Sequence, residues 1–297
     1  MLNQETNPLI SHPDDIPTGY ELVGCRTDGS FAEICKVRNR ETGTLAALKR
    51  LRPEWRNQPE ARALFQAEVN AASCVNSEHV VRLLDAELDT PSPWLLLEWL
   101  EGETLEQRLA RGEKIPVSTA VWIARQTVQG LSDLSRAGFV HGDLKPENIF
   151  LCYPGIVKIL DLGFAHRLER TSEFSENKLL VGTAEYLAPE ALSAELSNPL
   201  AKDVYSLGII LFRMLAGRLP FTGQNTADIL RLQRQAKPPA LHILCPEAPS
   251  ELVDLVERML AKQPLRRPLN LRELSRTLIR LEIDLLAIAE SAYREAS

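Results

Sequence analysis

No stretch of this chain approaches the roughly 20 uninterrupted apolar residues that span a bilayer, and Met1–Gly19 lacks the positive start and apolar core of a secretory signal. A cytoplasmic protein without a membrane span is the expectation. No long basic run is present either: the net charge of −6 is modest and mixed in sign along the chain, so nucleic acid is not an expected partner. The five cysteines, Cys25, Cys35, Cys74, Cys152 and Cys245, are odd in number and scattered without metal-ligand spacing. Reduced, buried thiols are therefore expected rather than a disulfide scaffold or a zinc module. No internal repeat is apparent.

What is present is ample core-forming material. With 297 residues, 44% hydrophobic and 25% charged, the chain can bury a large core and leaves no room for a second sizeable domain. Met1–Gly19 carries Pro8, Pro13 and Pro17 with few apolar residues and reads as an extended leader, residues 1–19. Strand-like runs follow, among them Leu45–Leu51 and Trp94–Glu98, and are interrupted by one segment of helical composition, Pro59–Val75. Beyond Gly102 the pattern turns helical, with Leu105–Arg111, Val117–Gly138 and Val204–Ala216. Near the end, Leu271, Leu274, Leu278, Leu281, Leu285, Ile288 and Ala292 recur by three and four, the spacing of a helical seam. Its first half is expected to pack on the body of the protein. For the rest, an intramolecular stripe is preferred over a homodimer seam.

The densest chemistry lies in His141-Gly142-Asp143-Leu144-Lys145-Pro146-Glu147-Asn148, followed by Asp161-Leu162-Gly163. Phosphoryl transfer needs a carboxylate to orient a hydroxyl and oxygen ligands to hold magnesium against the phosphates, and this segment offers both. Asp143 would accept the hydroxyl proton. Asn148 and Asp161 would give oxygens to Mg²⁺, a hard cation that takes few protein ligands and fills the rest with phosphate or water. Lys145 would neutralise the transferred phosphate.

In these motifs the chain resembles the eukaryotic-like (Hanks-type) protein serine/threonine kinases, of a bacterial cast. The catalytic loop departs from H-R-D-L-x-x-x-N only at Gly142, and Asp161-Leu162-Gly163 is a variant of D-F-G. Ala47-Leu48-Lys49 resembles the strand whose lysine holds the α and β phosphates, and Glu68 the helix glutamate that orients it. Gly182-Thr183-Ala184-Glu185-Tyr186-Leu187-Ala188-Pro189-Glu190 resembles the end of an activation segment, with Glu190 paired to Arg267. Asp203-Val204-Tyr205-Ser206-Leu207-Gly208 resembles the start of a buried helix beneath the active site. Taken singly, each element has an ordinary explanation as a turn, an edge charge or a surface ion pair. Their order and spacing together carry the resemblance.

The resemblance implies an α+β, two-lobed protein kinase fold. A small antiparallel β-sheet lobe with one main helix spans residues 20–98, and a larger, mostly helical lobe spans 99–282, so that the kinase domain is 20–282 and 283–297 is a helical extension. It also implies ATP and Mg²⁺ as cofactors and a protein substrate. Gly29 would lie over the phosphates, with Ile34 and Ala47 above the adenine and Phe150 below. Glu98 to Leu100 would meet its edge, and Leu97 would guard the back pocket.

Two departures qualify the picture. Where the kinase pattern is G-x-G-x-x-G-x-V, this chain offers Thr27-Asp28-Gly29-Ser30-Phe31-Ala32-Glu33-Ile34, so only Gly29 remains, and a stiffer loop with weak nucleotide affinity is expected. At Gly142 many kinases carry an arginine that clamps a phosphorylated activation loop. Activity without loop phosphate follows as the expectation, although Thr171, Ser172, Ser175 and Thr183 are available acceptors. Two other functions fit parts of the pattern: a pseudokinase scaffold that signals by shape, and a small-molecule kinase of the aminoglycoside or choline type, which shares His-Gly-Asp. Retention of Lys49, Asp143, Asn148 and Asp161 argues against the first, and Lys145-Pro146-Glu147 with the Gly182 to Glu190 stretch argues against the second.

Overall fold

The computed structural model describes residues 16–26, 31–112, 114–168, 184–192 and 198–296. Gly29 and its neighbours Thr27, Asp28 and Ser30 lie outside the described residues, as do Thr171, Ser172, Ser175, Gly182 and Thr183. The chain divides into two compact units. The first joins the chain up to Gln66 with Leu83–Trp99, and the second joins Ala67–Arg82 with the chain from Leu100 onward.

The first unit is a five-stranded antiparallel sheet in the order β1-β2-β3-β5-β4, with β1 Tyr20–Arg26, β2 Ala32–Asn39, β3 Leu45–Leu51, β4 Leu83–Glu87 and β5 Trp94–Glu98. Side chains alternate across a strand, so register decides which residues share a face. Cys35, Val37, Ala46, Leu48 and Leu96 form the buried cluster on one face, with Ile16, Tyr20, Leu22 and Trp94 packed against it. Ile34 stands opposite Lys49, and Lys49 opposite Leu95, while Ala47 stands opposite Leu97. Ile34, Ala47 and Lys49 therefore share the other face. Helix α1, Pro59–Ala72, begins in this unit and ends one turn sooner than its composition suggested.

The cysteine expectation needs correction. Cys35 is disulfide-bonded, and Cys74 is exposed, whereas Cys152 and Cys245 carry no disulfide and are at least partly covered. The physical basis is register: antiparallel pairing sets Cys25 directly opposite Cys35, and cross-strand Cα atoms lie within the span a disulfide bridges. A count of thiols cannot see that juxtaposition.

The second unit is mainly helical. Its helices are α2 Leu105–Leu109, α3 Val117–Arg136, α4 Leu200–Ala216, α5 Thr226–Gln235, α6 Leu241–Leu244, α7 Ser250–Met259 and α8 Leu271–Ala296. A small sheet of β6 Gly102–Thr104, β8 Ile149–Cys152 and β9 Ile156–Ile159 accompanies them, as does a short pair, β7 Phe139–Val140 with β10 His166–Arg167. Helix α2 starts with a reciprocal cap in which Thr104 accepts from the Gln107 amide while the Gln107 side chain accepts from that of Thr104. Helix α4 ends on Gly217 in the left-handed region, φ 70°, where a side chain would be strained. It is buried along nearly its whole length and forms the unit's central post.

The C-terminal seam is realised in part. Leu271, Leu274, Leu278 and Leu281 are buried, and α8 packs on α3, where Arg125 donates to Glu282. Beyond that, Leu285 is half-buried and Ile288 is 62% exposed. Ile279, Ile283 and Leu286 are exposed too. No helix of the described residues is long and apolar enough to cross a membrane.

Candidate active site

In the first unit, Lys49 is almost fully buried on the face opposite the hydrophobic cluster, its Nζ 5.8 Å from the centre of the Phe65 ring. Ile34 is 37% exposed on that face, Ala47 is half-buried, and Glu98, at the end of β5, is half-buried too. Leu97 is buried beside them. On the opposite face Arg50 makes a buried ion pair with Glu33 at 2.5 Å, which sequence reading missed because the residues are 17 apart.

The second unit holds the rest. Glu68 is buried on α1. Leu100 and Phe150 are half-buried, Phe150 on β8 opposite Thr104 and Lys158. The catalytic loop is fixed from below by Asp203 in the first turn of α4. One carboxylate oxygen accepts the His141 N–H and the other the Gly142 N–H, each at 2.8 Å. Asp203 is 1% exposed, so these two bonds replace its water. His141 then organises the loop's interior: its Nδ1 accepts the Asp143 N–H at 3.2 Å and its Nε2 meets the Leu160 carbonyl at 3.0 Å. That pattern assigns the neutral tautomer with its proton on Nε2.

Above this scaffold the functional groups converge. Lys145 Nζ lies 2.9 Å from Asp143 Oδ2. Burial alone would lower the lysine's pKa, but attraction and hydrogen bonding from Asp143, with Asp161 and Glu147 behind it, raise it above its ordinary value. The ammonium is thus held charged at neutral pH. Asn148 closes the short turn Pro146–Asn148, and its side-chain NH₂ donates to the Asp143 carbonyl at 2.9 Å. With the nitrogen engaged, the amide oxygen is the atom left for a cation.

Asp161 sits at φ 54°, the left-handed region that non-glycine residues seldom occupy. Its Oδ1 accepts the Gly163 N–H at 3.3 Å, and the preceding strand is anchored on both sides, Leu160 N–H to Asn148 O at 2.8 Å and Ile159 to the His79 and Val81 backbones. Carboxylate and amide oxygens of this kind are the ligands a hard cation takes when phosphate supplies the rest. Among the described residues no cluster of three or more His, Cys, Asp or Glu could hold a metal alone.

The stretch 184–190 is tied to the same helix. Ser206 donates to the Tyr186 carbonyl at 2.8 Å, and Gln233, which accepts from Tyr205, donates to the Glu185 carbonyl. Glu190 and Arg267 form a fully buried fork, at 2.5 and 2.8 Å, while the guanidinium also donates to the Ala261 and Ala201 carbonyls. Sequence reading missed Gln233, and it missed Arg213, which joins Glu106 to Tyr186. No local signal marks such long-range pairs.

A family model described as the protein kinase domain matches residues 21–276. The chain is 28% identical over 267 residues to a probable serine/threonine-protein kinase of Clostridium perfringens, covering 89% of this chain and 38% of that protein. It is 35% identical over 235 residues to a serine/threonine-protein kinase of Corynebacterium efficiens, covering 77% and 44%. Against the serine/threonine-protein kinase PknA of Corynebacterium glutamicum it is 34% identical over 227 residues, covering 74% and 47%. The chain spans less than half the length of each of these relatives.

Proposed function

The chain belongs to the protein kinase domain family, and on that premise we propose that it transfers the γ-phosphate of ATP to serine and threonine hydroxyls of proteins. The observation that carries this reading is the Asp143, Lys145 and Asn148 constellation on a loop locked by Asp203. Asp143 orients the acceptor hydroxyl and takes its proton as the oxygen bonds to the γ-phosphorus and ADP departs. Lys145, already on Asp143, carries positive charge to the phosphoryl oxygens as they move. Asn148 and Asp161 would hold Mg²⁺, which supplies charge neutralisation for the phosphates when bound. In the first unit, Lys49 would hold the nucleotide phosphates, with Ile34, Ala47 and Glu98 toward the base.

A protein substrate is favoured over a small molecule by the tethering of Tyr186 and Glu185 to α4 and α5, since this fixes the position of a stretch beside which a peptide would lie. The test is to supply γ-labelled ATP and Mg²⁺ with the chain itself, a generic basic protein, an aminoglycoside and choline. Label on serine or threonine is expected. Label confined to a small molecule, or nucleotide binding without transfer to anything, would contradict the proposal.

Gly142 removes the arginine that would read a phosphorylated loop, so phosphatase treatment is expected to leave activity within about twofold. Activity abolished by phosphatase and restored on rephosphorylation would overturn this.

A further inference from the structure

We propose that Arg213 is a specificity-determining residue: it fills, from inside the chain, an acidic subsite beside the catalytic loop that a substrate arginine would otherwise occupy. The inference rests on the protein-kinase reading for its biological meaning, but its geometry stands separately. Arg213 projects from α4 and grips Glu106, in the first turn of α2, through both nitrogens, Nη1 to Oε2 at 2.5 Å and Nη2 to Oε1 at 2.9 Å. Its Nη1 also donates to the Tyr186 hydroxyl at 2.6 Å.

This position borders the acceptor site. Glu147 is exposed in the turn Pro146–Asn148, and that turn packs against α2, the helix that carries Glu106. The same loop carries Lys145, which meets Asp143, so the Glu106–Arg213 pair lies against the loop of the acceptor site. Without Arg213, the Glu106 carboxylate and the Tyr186 phenol oxygen would be left as acceptors, with Glu147 on the adjoining turn, the set a guanidinium seeks. With Arg213 in place, the fork of Glu106 is already used. The site is also reachable, since the Glu106 side chain is 31% exposed and that of Arg213 is 19% exposed. The chain should therefore accept peptides that lack a basic residue at this side.

The test measures binding rather than turnover. Fluorescent peptides with alanine in place of the acceptor serine carry a single arginine at successive flanking positions, and anisotropy gives their affinity for the full chain. Wild type is expected to vary less than about twofold with arginine position, whereas Arg213→Met should bind the peptide with arginine at one position about tenfold tighter. Adding Glu106→Gln to that variant should abolish the gain. Glu106→Gln alone frees the native guanidinium and should tighten glutamate-bearing peptides instead, which decides the question if Arg213→Met fails to fold.

A strong arginine preference in wild type would overturn the proposal. So would a folded Arg213→Met with no positional gain, the behaviour of a merely structural strap, or absence of the glutamate effect in Glu106→Gln. Because these peptides cannot be phosphorylated, the affinity changes can appear in a chain that transfers no phosphate, and that result would sink the kinase reading while leaving the subsite intact.

Discussion

Replacing Asp203 with alanine will lower phosphate transfer by about 100-fold and the unfolding midpoint by on the order of 10 °C. The carboxylate is buried and accepts two backbone N–H groups of the catalytic loop, at His141 and Gly142. Its removal leaves both donors without a partner in a site closed to water, at ~1–3 kcal/mol each. The kinetic effect has a separate origin. His141 orders the Asp143 amide, so a loosened loop lets the Asp143 carboxylate wander from the position at which Lys145 meets it. Asp203 holds the loop through its backbone and is expected to act as a positioning residue. At a temperature where the variant is folded, kcat should fall while KM for ATP stays within about twofold, and Asp203→Asn, which keeps one acceptor oxygen, should recover part of the loss. A proportional rise in KM for ATP, or full activity in a destabilised Asp203→Ala, would show that the bonds serve stability alone.

Installing the missing arginine will fail to create a phosphate clamp. Gly142 has φ +79°, and a Cβ built there would stand 2.6 Å from the Phe164 carbonyl oxygen and 3.3 Å from the His166 ring. The obstruction is backbone, so a side-chain rotation cannot relieve it, and the left-handed conformation adds ~1–2 kcal/mol for any L residue. Gly142→Arg and Gly142→Ala should therefore be damaged alike, by on the order of 100-fold in transfer, since the first carbon does the harm. Neither should become dependent on loop phosphorylation. An active Gly142→Arg that responds to phosphatase would mean that the loop can rearrange to take an arginine.

These two results bear on how the chain encodes its site. Runs with strong local pattern were legible: Leu45–Leu51 and Trp94–Glu98 are strands with the bounds read from the sequence, because apolar residues there have no competing signal. Helix α4 begins at Leu200 rather than Val204, since the Asn198 side chain accepts the Leu200 N–H and starts the first turn earlier. The Glu190–Arg267 pair was legible only through resemblance, being 77 residues apart. The Arg213–Glu106 fork, separated by 107 residues, and the bond of Cys35 depend on which elements meet, and periodicity says nothing about that. Gly142 is the instructive case. Its sequence announces a lost arginine, whereas the structure shows a backbone that requires glycine.

The most direct test of the account is γ-phosphate transfer from ATP with Mg²⁺ to the chain and to a generic basic protein, comparing wild type with Asp143→Asn. The account predicts phosphoserine or phosphothreonine with wild type and a loss of at least about 1000-fold in the variant, with nucleotide affinity retained. Equal transfer by both forms, or none by a wild type that binds nucleotide, would contradict it.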